Sequence, residues 1–112
     1  MKINSSLNKM YVVIFVTASS KKEARTIASA LIKRKLAACV NIINGIESLF
    51  WWQGKVESAK ENLLIIKSKT TKLLAIIKAV KAHHSYEVPE IIALPIKGGF
   101  TPYLRWIDAS VR

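Results

Sequence analysis

Ala37-Ala38-Cys39-Val40-Asn41-Ile42-Ile43-Asn44-Gly45-Ile46-Glu47-Ser48-Leu49-Phe50-Trp51-Trp52-Gln53-Gly54-Lys55 is the stretch on which the fold turns. Ala37–Trp52 reads as extended, since β-branched and aromatic side chains suit a pleated surface. Gln53-Gly54 reads as the tip of a hairpin. Lys55–Ser68 then returns as a second long strand, with Leu63-Leu64-Ile65-Ile66 as its buried part. Asn44-Gly45 complicates this reading, because Asn-Gly is itself the strongest short hairpin signal. It is either a bulge that bends one long strand or a second turn that splits it.

Outward from the hairpin the pattern is clear. Tyr11-Val12-Val13-Ile14-Phe15-Val16 is a continuous apolar run of the kind found in central strands. Ser20-Lys21-Lys22-Glu23 is a capping box, and Ala24, Ile27, Ala28, Leu31 and Ile32 recur at helical spacing to about Lys35. Lys69–His83 reads as a second helix capped by Thr70 or Thr71, with Leu73, Ile76, Ile77 and Val80 on one face. Ile91-Ile92-Ala93-Leu94 is a fourth strand, which Pro95 assigns to a sheet edge. After Gly98-Gly99, Thr101 as cap and Pro102 at the first helical position open a last helix to about Ser110. The order β-α-β-β-α-β plus a terminal helix predicts an α+β, ferredoxin-like sandwich with a long central hairpin. Two helices cover one sheet face, so the other, rich in Ile and Trp, needs a cover. Residues 1–9 are polar and expected to be flexible; 10–112 is expected to form one domain.

Composition narrows the function classes. Of 112 residues 51% are hydrophobic and three are Trp, a surplus that suggests an interface. The net charge is +11, from 18 Lys+Arg against 7 Asp+Glu. The basic residues are mostly scattered lysines, and no nucleic-acid motif accompanies them, so a solvated surface is expected and no specific nucleic-acid partner. One cysteine excludes an intrachain disulfide and fits a reducing compartment. No run reaches the ~18 apolar residues of a membrane span, and polar residues interrupt any leader-like core at the start. The expectation is a cytoplasmic protein without membrane contact.

The residues that carry chemistry are concentrated in His83-His84-Ser85-Tyr86-Glu87-Val88-Pro89-Glu90-Ile91-Ile92. His83 and His84 are the only histidines, and imidazole is a common ligand of copper and zinc. Neighbouring residues on a helix diverge by about 100°, so the pair chelates only where the helix has unwound, as Pro89 favours. Glu87 and Glu90 offer further oxygen ligands, or pair with lysines. Cys39 offers a soft ligand, or is a small core residue.

This run resembles the His-Pro-Tyr-Glu-Val-Pro-Glu-Ile signature of the CutA divalent-cation tolerance proteins. Leu36–Ile42, Ser48–Lys55 and Tyr103-Leu104-Arg105-Trp106-Ile107 resemble further blocks of that family, in its order and spacing. The resemblance implies one long bent strand, hence a bulge at Gly45. It also implies a compact homotrimer, similar in architecture to the PII signalling proteins. Copper, one ion per subunit, held by His83 and His84, would be the cofactor, in a role in metal tolerance. Two departures matter. Val16 stands where some members carry a cysteine ligand, and Ser85 stands where proline is usual, which should loosen the loop. Lys67 resembles the family's Lys-Thr pair. No catalytic triad, phosphate loop or metal-hydrolase motif is present, so no enzymatic activity is expected. The rival is a PII-like signalling or adaptor trimer that binds a small anionic ligand or a partner protein.

Overall fold

A computed structural model describes residues 10–112, so the readings made for residues 1–9 lie outside the described residues. The elements are β1 Tyr11–Ala18, α1 Lys21–Lys33, β2 Cys39–Trp52, β3 Lys55–Lys69, a 3-10 turn Thr70–Lys72, α2 Leu73–His83, β4 Ile91–Pro95 and α3 Thr101–Ser110. The sheet is antiparallel in the order β2-β3-β1-β4. Pro95 thus closes an edge strand, where its missing N–H costs no ladder bond.

The alternation of β1 decides the layers. Val12, Ile14, Val16 and Ala18 point to one face with Leu64 and Ile66 of β3. Ala24, Ile27, Ala28 and Leu31 of α1 and Ile76, Ala79 and Val80 of α2 close over them. Val16 is fully buried there, so the position of the missing cysteine is a packing position in this chain. The opposite face is open over much of its width, with Ile43, Ile92 and Leu94 exposed. At one end α3 covers it, burying Tyr11, Ile107 and Val111 together. Lys69 of that face bonds Asp108 of α3 at 3.0 Å.

Helix ends follow the sequence in part. Ser20 Oγ accepts the Glu23 N–H at 3.0 Å, as a capping box requires. The return bond is displaced by one residue: Glu23 Oε2 accepts from the Ser19 N–H at 2.9 Å. The expected caps of the other two helices are corrected. Thr70 and Thr71 fall inside the 3-10 turn, and Lys72 precedes α2 without a side-chain cap. Thr101 is already helical, with Phe100 at the cap position and proline in the first turn.

The hairpin resolves the ambiguity at Asn44-Gly45. Ile43 pairs with Leu63 and Ile46 with Glu61, so Asn44 and Gly45 together face Asn62. This is a one-residue bulge, and Gly45 takes φ +74°, which a side chain would resist. Gln53 and Gly54, at φ 49° and 76°, make the turn at the tip. The bulge lies where β1 stops, since the last β1 pair is Ala18 with Asn62. Beyond it the sheet narrows to the two strands of the hairpin. This ribbon stretches the molecule to 46 × 30 × 22 Å and its radius of gyration to 15.0 Å, against about 13 Å for a compact chain of this length. Trp51 near its tip is 75% exposed. Among the described residues no helix is long and apolar enough to cross a membrane.

Candidate functional site

The two adjacent histidines have different surroundings. His83 is the last residue of α2 and is exposed. It borders a shallow cleft beside Arg25, Thr26, Ser29 and Lys33 of α1. At His84 the backbone turns extended, with φ −93° and ψ 138°, which aims its ring elsewhere. His84 Nε2 lies 2.7 Å from the Thr17 carbonyl, and Nδ1 lies 3.0 Å from the Tyr86 N–H. A carbonyl only accepts and an N–H only donates, so Nε2 carries the proton and Nδ1 is the acceptor. Both nitrogens of His84 are therefore occupied. Its ring also sits 4.9 Å from that of Tyr86.

Ser85, expected to loosen the loop, fastens it. Its N–H donates to Glu23 Oε1 at 2.6 Å, a bond that proline could not make. Its hydroxyl lies 3.2 Å from that of Ser19, which in turn donates to Glu23 Oε2 at 3.1 Å. Partial burial pushes the Glu23 carboxyl up, but the hydrogen bonds from Ser19 and Ser85 outweigh it and hold the group below its ordinary value. Lys81 Nζ closes the loop from the other side on the Glu87 carbonyl at 2.6 Å.

Beyond this loop lies a groove of about 1000 Å³ between the ribbon and residues 86–90. Glu47, Glu57, Glu61, Glu87 and Glu90 all line it. They are five of the seven acidic residues of a chain with net charge +11. Phe50 and Trp52 form part of its wall. Glu61 is only 7% exposed, and its Oε2 accepts from the Tyr86 hydroxyl at 3.0 Å. Burial first, then that bond and the negative charge of Glu61, push the Tyr86 phenol above its ordinary value. The expected pairing of Glu87 and Glu90 with lysines is absent: among the described residues the ion pair is Lys69 with Asp108.

Cys39 does not join this region. It is half-buried on β2, opposite Lys67, which pairs with Val13 on β1. His84 meets β1 at Thr17, four residues further along, roughly 13 Å at strand rise. Cys39 Sγ contacts Asn41 Oδ1 at 3.8 Å, and Lys67 Nζ bonds the same oxygen. Among the described residues, no three His, Cys, Asp or Glu side chains gather closely enough to hold a metal ion. What sequence reading missed is the set of remote partners: the Thr17 carbonyl, Ser19 and Glu23. The groove had a visible signal, since all five acids fall in the segments 47–61 and 87–90.

Strand order, helix layer and long bulged hairpin make this a ferredoxin-like α+β protein with an acidic groove at the hairpin base. The family model of the CutA1 divalent ion tolerance protein matches residues 12–110, and the chain belongs to that family. Protein CutA 1, chloroplastic, of Oryza sativa subsp. japonica is 52% identical over 101 residues, 90% of this chain and 57% of the rice protein. This chain thus spans little more than half the length of that relative. The divalent-cation tolerance protein CutA of Archaeoglobus fulgidus is 47% identical over 102 residues, 91% of this chain and 99% of the relative. The solved structure of the periplasmic divalent cation tolerance protein CutA from that organism superposes with a TM-score of 0.89 at 47% identity, covering 92% of this chain and 100% of that one. The family is named for tolerance of divalent ions and not for an enzymatic reaction. The cytoplasmic expectation is corrected by these relatives, one chloroplastic and one periplasmic. A single cysteine excludes an intrachain disulfide but does not identify a compartment.

Proposed function

We propose that this protein supports divalent-cation tolerance by binding divalent metal ions, copper among them, in the acidic groove of a homotrimer. One observation carries the reading. Five of seven acidic residues line one groove, and among the described residues none of the five forms an ion pair with a lysine or arginine. Carboxylates spread along one groove make it negative and draw in cations. Their oxygens suit hard divalent ions, and Cu(II) ranks highest among first-row metals at a given site. Neighbouring subunits or water would complete the coordination.

The histidine pair is the weaker donor set. His84 becomes a ligand only by giving up the Tyr86 N–H at Nδ1 or the Thr17 carbonyl at Nε2, and His83 lies beside Arg25 and Lys33, whose charges oppose a cation. The trimer rests on the exposed ribbon and the open sheet face, apolar surfaces too large for a lone small domain.

The test is a Cu(II) titration against a competing chelator with the whole chain. Glu87→Gln/Glu90→Gln is expected to weaken binding at least tenfold, and His83→Ala/His84→Ala to stay within about threefold of wild type, under 1 kcal/mol. The reverse ranking would return copper to the histidines. Sedimentation equilibrium checks the assembly, with a mass three times 12.5 kDa expected.

A further inference from the structure

His83 borders a second feature that metal binding leaves unexplained. α1 presents Arg25, Ser29 and Lys33 at intervals of four residues, hence along one face, with Thr26 beside them. His83 borders the cleft from the end of α2, and the shallow, open space between them is about 410 Å³. Every polar side chain on this wall can donate a hydrogen bond, and no carboxylate borders it. Among the described residues, none of the five side chains has a hydrogen-bond or ion-pair partner. Ser and Thr within a helix commonly bond back to a carbonyl four residues earlier, and here they do not. The remaining surface reinforces the cleft. Five of seven acids lie in the groove and Asp108 pairs with Lys69, so Glu23, turned to Ser19 and Ser85 at the start of α1, is the one acid of the described residues left on the helix layer.

We propose that this cleft binds a small anion carrying two or more phosphates. Arginine offers a planar fork that matches phosphate oxygens, and lysine offers a compact charge. Arg25 and Lys33 stand eight residues apart, about 12 Å along the helix axis, and their long side chains can converge on one extended anion. The Thr26 and Ser29 hydroxyls and a His83 ring nitrogen supply further hydrogen-bond donors between them. A single phosphate would leave one end of the row unused. The site is a property of one chain's helix layer and does not depend on the groove or on a metal.

The test is calorimetric titration of sodium tripolyphosphate into the whole, EDTA-treated protein at near-physiological salt. Wild type is expected to bind in a saturable way, and Arg25→Gln/Lys33→Gln to weaken binding at least tenfold. Lys97→Gln/Arg105→Gln removes the same charge elsewhere and is expected to stay within threefold. His83 ring resonances should shift on titration, and Ser29→Ala should weaken binding about threefold. Equal weakening by the two charge variants would reduce the effect to net charge and overturn the site, as would unmoved His83 resonances or no saturable binding at millimolar ligand. A parallel titration with ATP separates a nucleotide from free polyphosphate as the source. Dependence on Arg25 and Lys33 in either arm supports the cleft. Glu87→Gln/Glu90→Gln should leave both arms unchanged, which keeps this test separate from that of the groove.

Discussion

The body of the sheet and the ribbon beyond it are built from the same two strands, yet they meet different conditions. Between Leu63 and Lys67, β3 has β1 on one side and β2 on the other, with two helices above. Between Lys55 and Glu61 it has β2 alone. The body buries one face of its sheet under its own helices, whereas the ribbon holds Leu49, Trp51, Trp52 and Val56 in solvent. An isolated two-stranded hairpin is marginal in water. The ribbon persists because it continues a sheet already anchored in the core, and its exposed side chains point to a use outside the chain.

Two truncations break this comparison most sharply. Ile14 is fully buried, so Ile14→Ala should cost about 2–5 kcal/mol through lost transfer energy and a cavity. The loss should be the same at every protein concentration. Trp51→Ala removes a side chain with few contacts in its own chain, so any loss should come from contacts between copies and shrink on dilution. Urea unfolding at two protein concentrations checks both. A concentration-independent loss of several kcal/mol at Trp51 would mean that the ribbon is held within the chain.

The junction between the regions gives the next effect. Gly45 adopts φ +74° with open space around it, so an added Cβ meets no neighbour and only the backbone objects. Gly45→Ala is expected to cost about 1–2 kcal/mol, the penalty of left-handed backbone for a residue with a side chain. Gly54→Ala at the tip has the same φ problem, but no third strand depends on its geometry. If the bulge sets the angle of the ribbon, only the Gly45 variant should also alter cation binding in the groove, read by the Cu(II) titration.

Sequence and structure agree where a periodic signal repeats over many residues. β1, α1 and the two hairpin strands were legible from continuous apolar and β-branched runs, helical spacing and a capping serine. The bulge was not legible from Asn44-Gly45 alone, because the same dipeptide serves a tight turn or a bulge and pairing register decides between them. At the site the limit was one of direction. Adjacent histidines suggested convergence, but a single extended backbone step at His84 sends the two rings to different partners. Ser85 shows the converse. A departure from the family's proline suggested slack, yet a serine N–H donates where proline has none, and Glu23, far away in sequence, receives it. Contacts between residues 62 apart leave no local trace in sequence.

The smallest effect belongs to that Glu23 tie, which fixes the loop bordering both the ribbon groove and the body. The carboxyl is held below its ordinary 4.5 because its hydrogen bonds to Ser19 and Ser85 favour the charged form more than burial opposes it. A folded-state value below the unfolded one means stability that is present above the unfolded value and lost as pH falls through the folded one. Glu23→Gln should therefore be less stable than wild type near pH 7, by about 1 kcal/mol at most for a partly exposed hydrogen-bonded group. The gap should close as pH falls through the lowered folded-state value, where wild type loses the charge as well. Ser85→Pro removes the Ser85 N–H and hydroxyl but leaves Ser19 in place, so its deficit should be a fraction of that and follow the same pH course. Urea midpoints measured from pH 7 down to pH 3 check both variants. A deficit that stays constant across that range would mean that the carboxylate acts through packing alone, and the loop would then owe its position to His84 and Lys81.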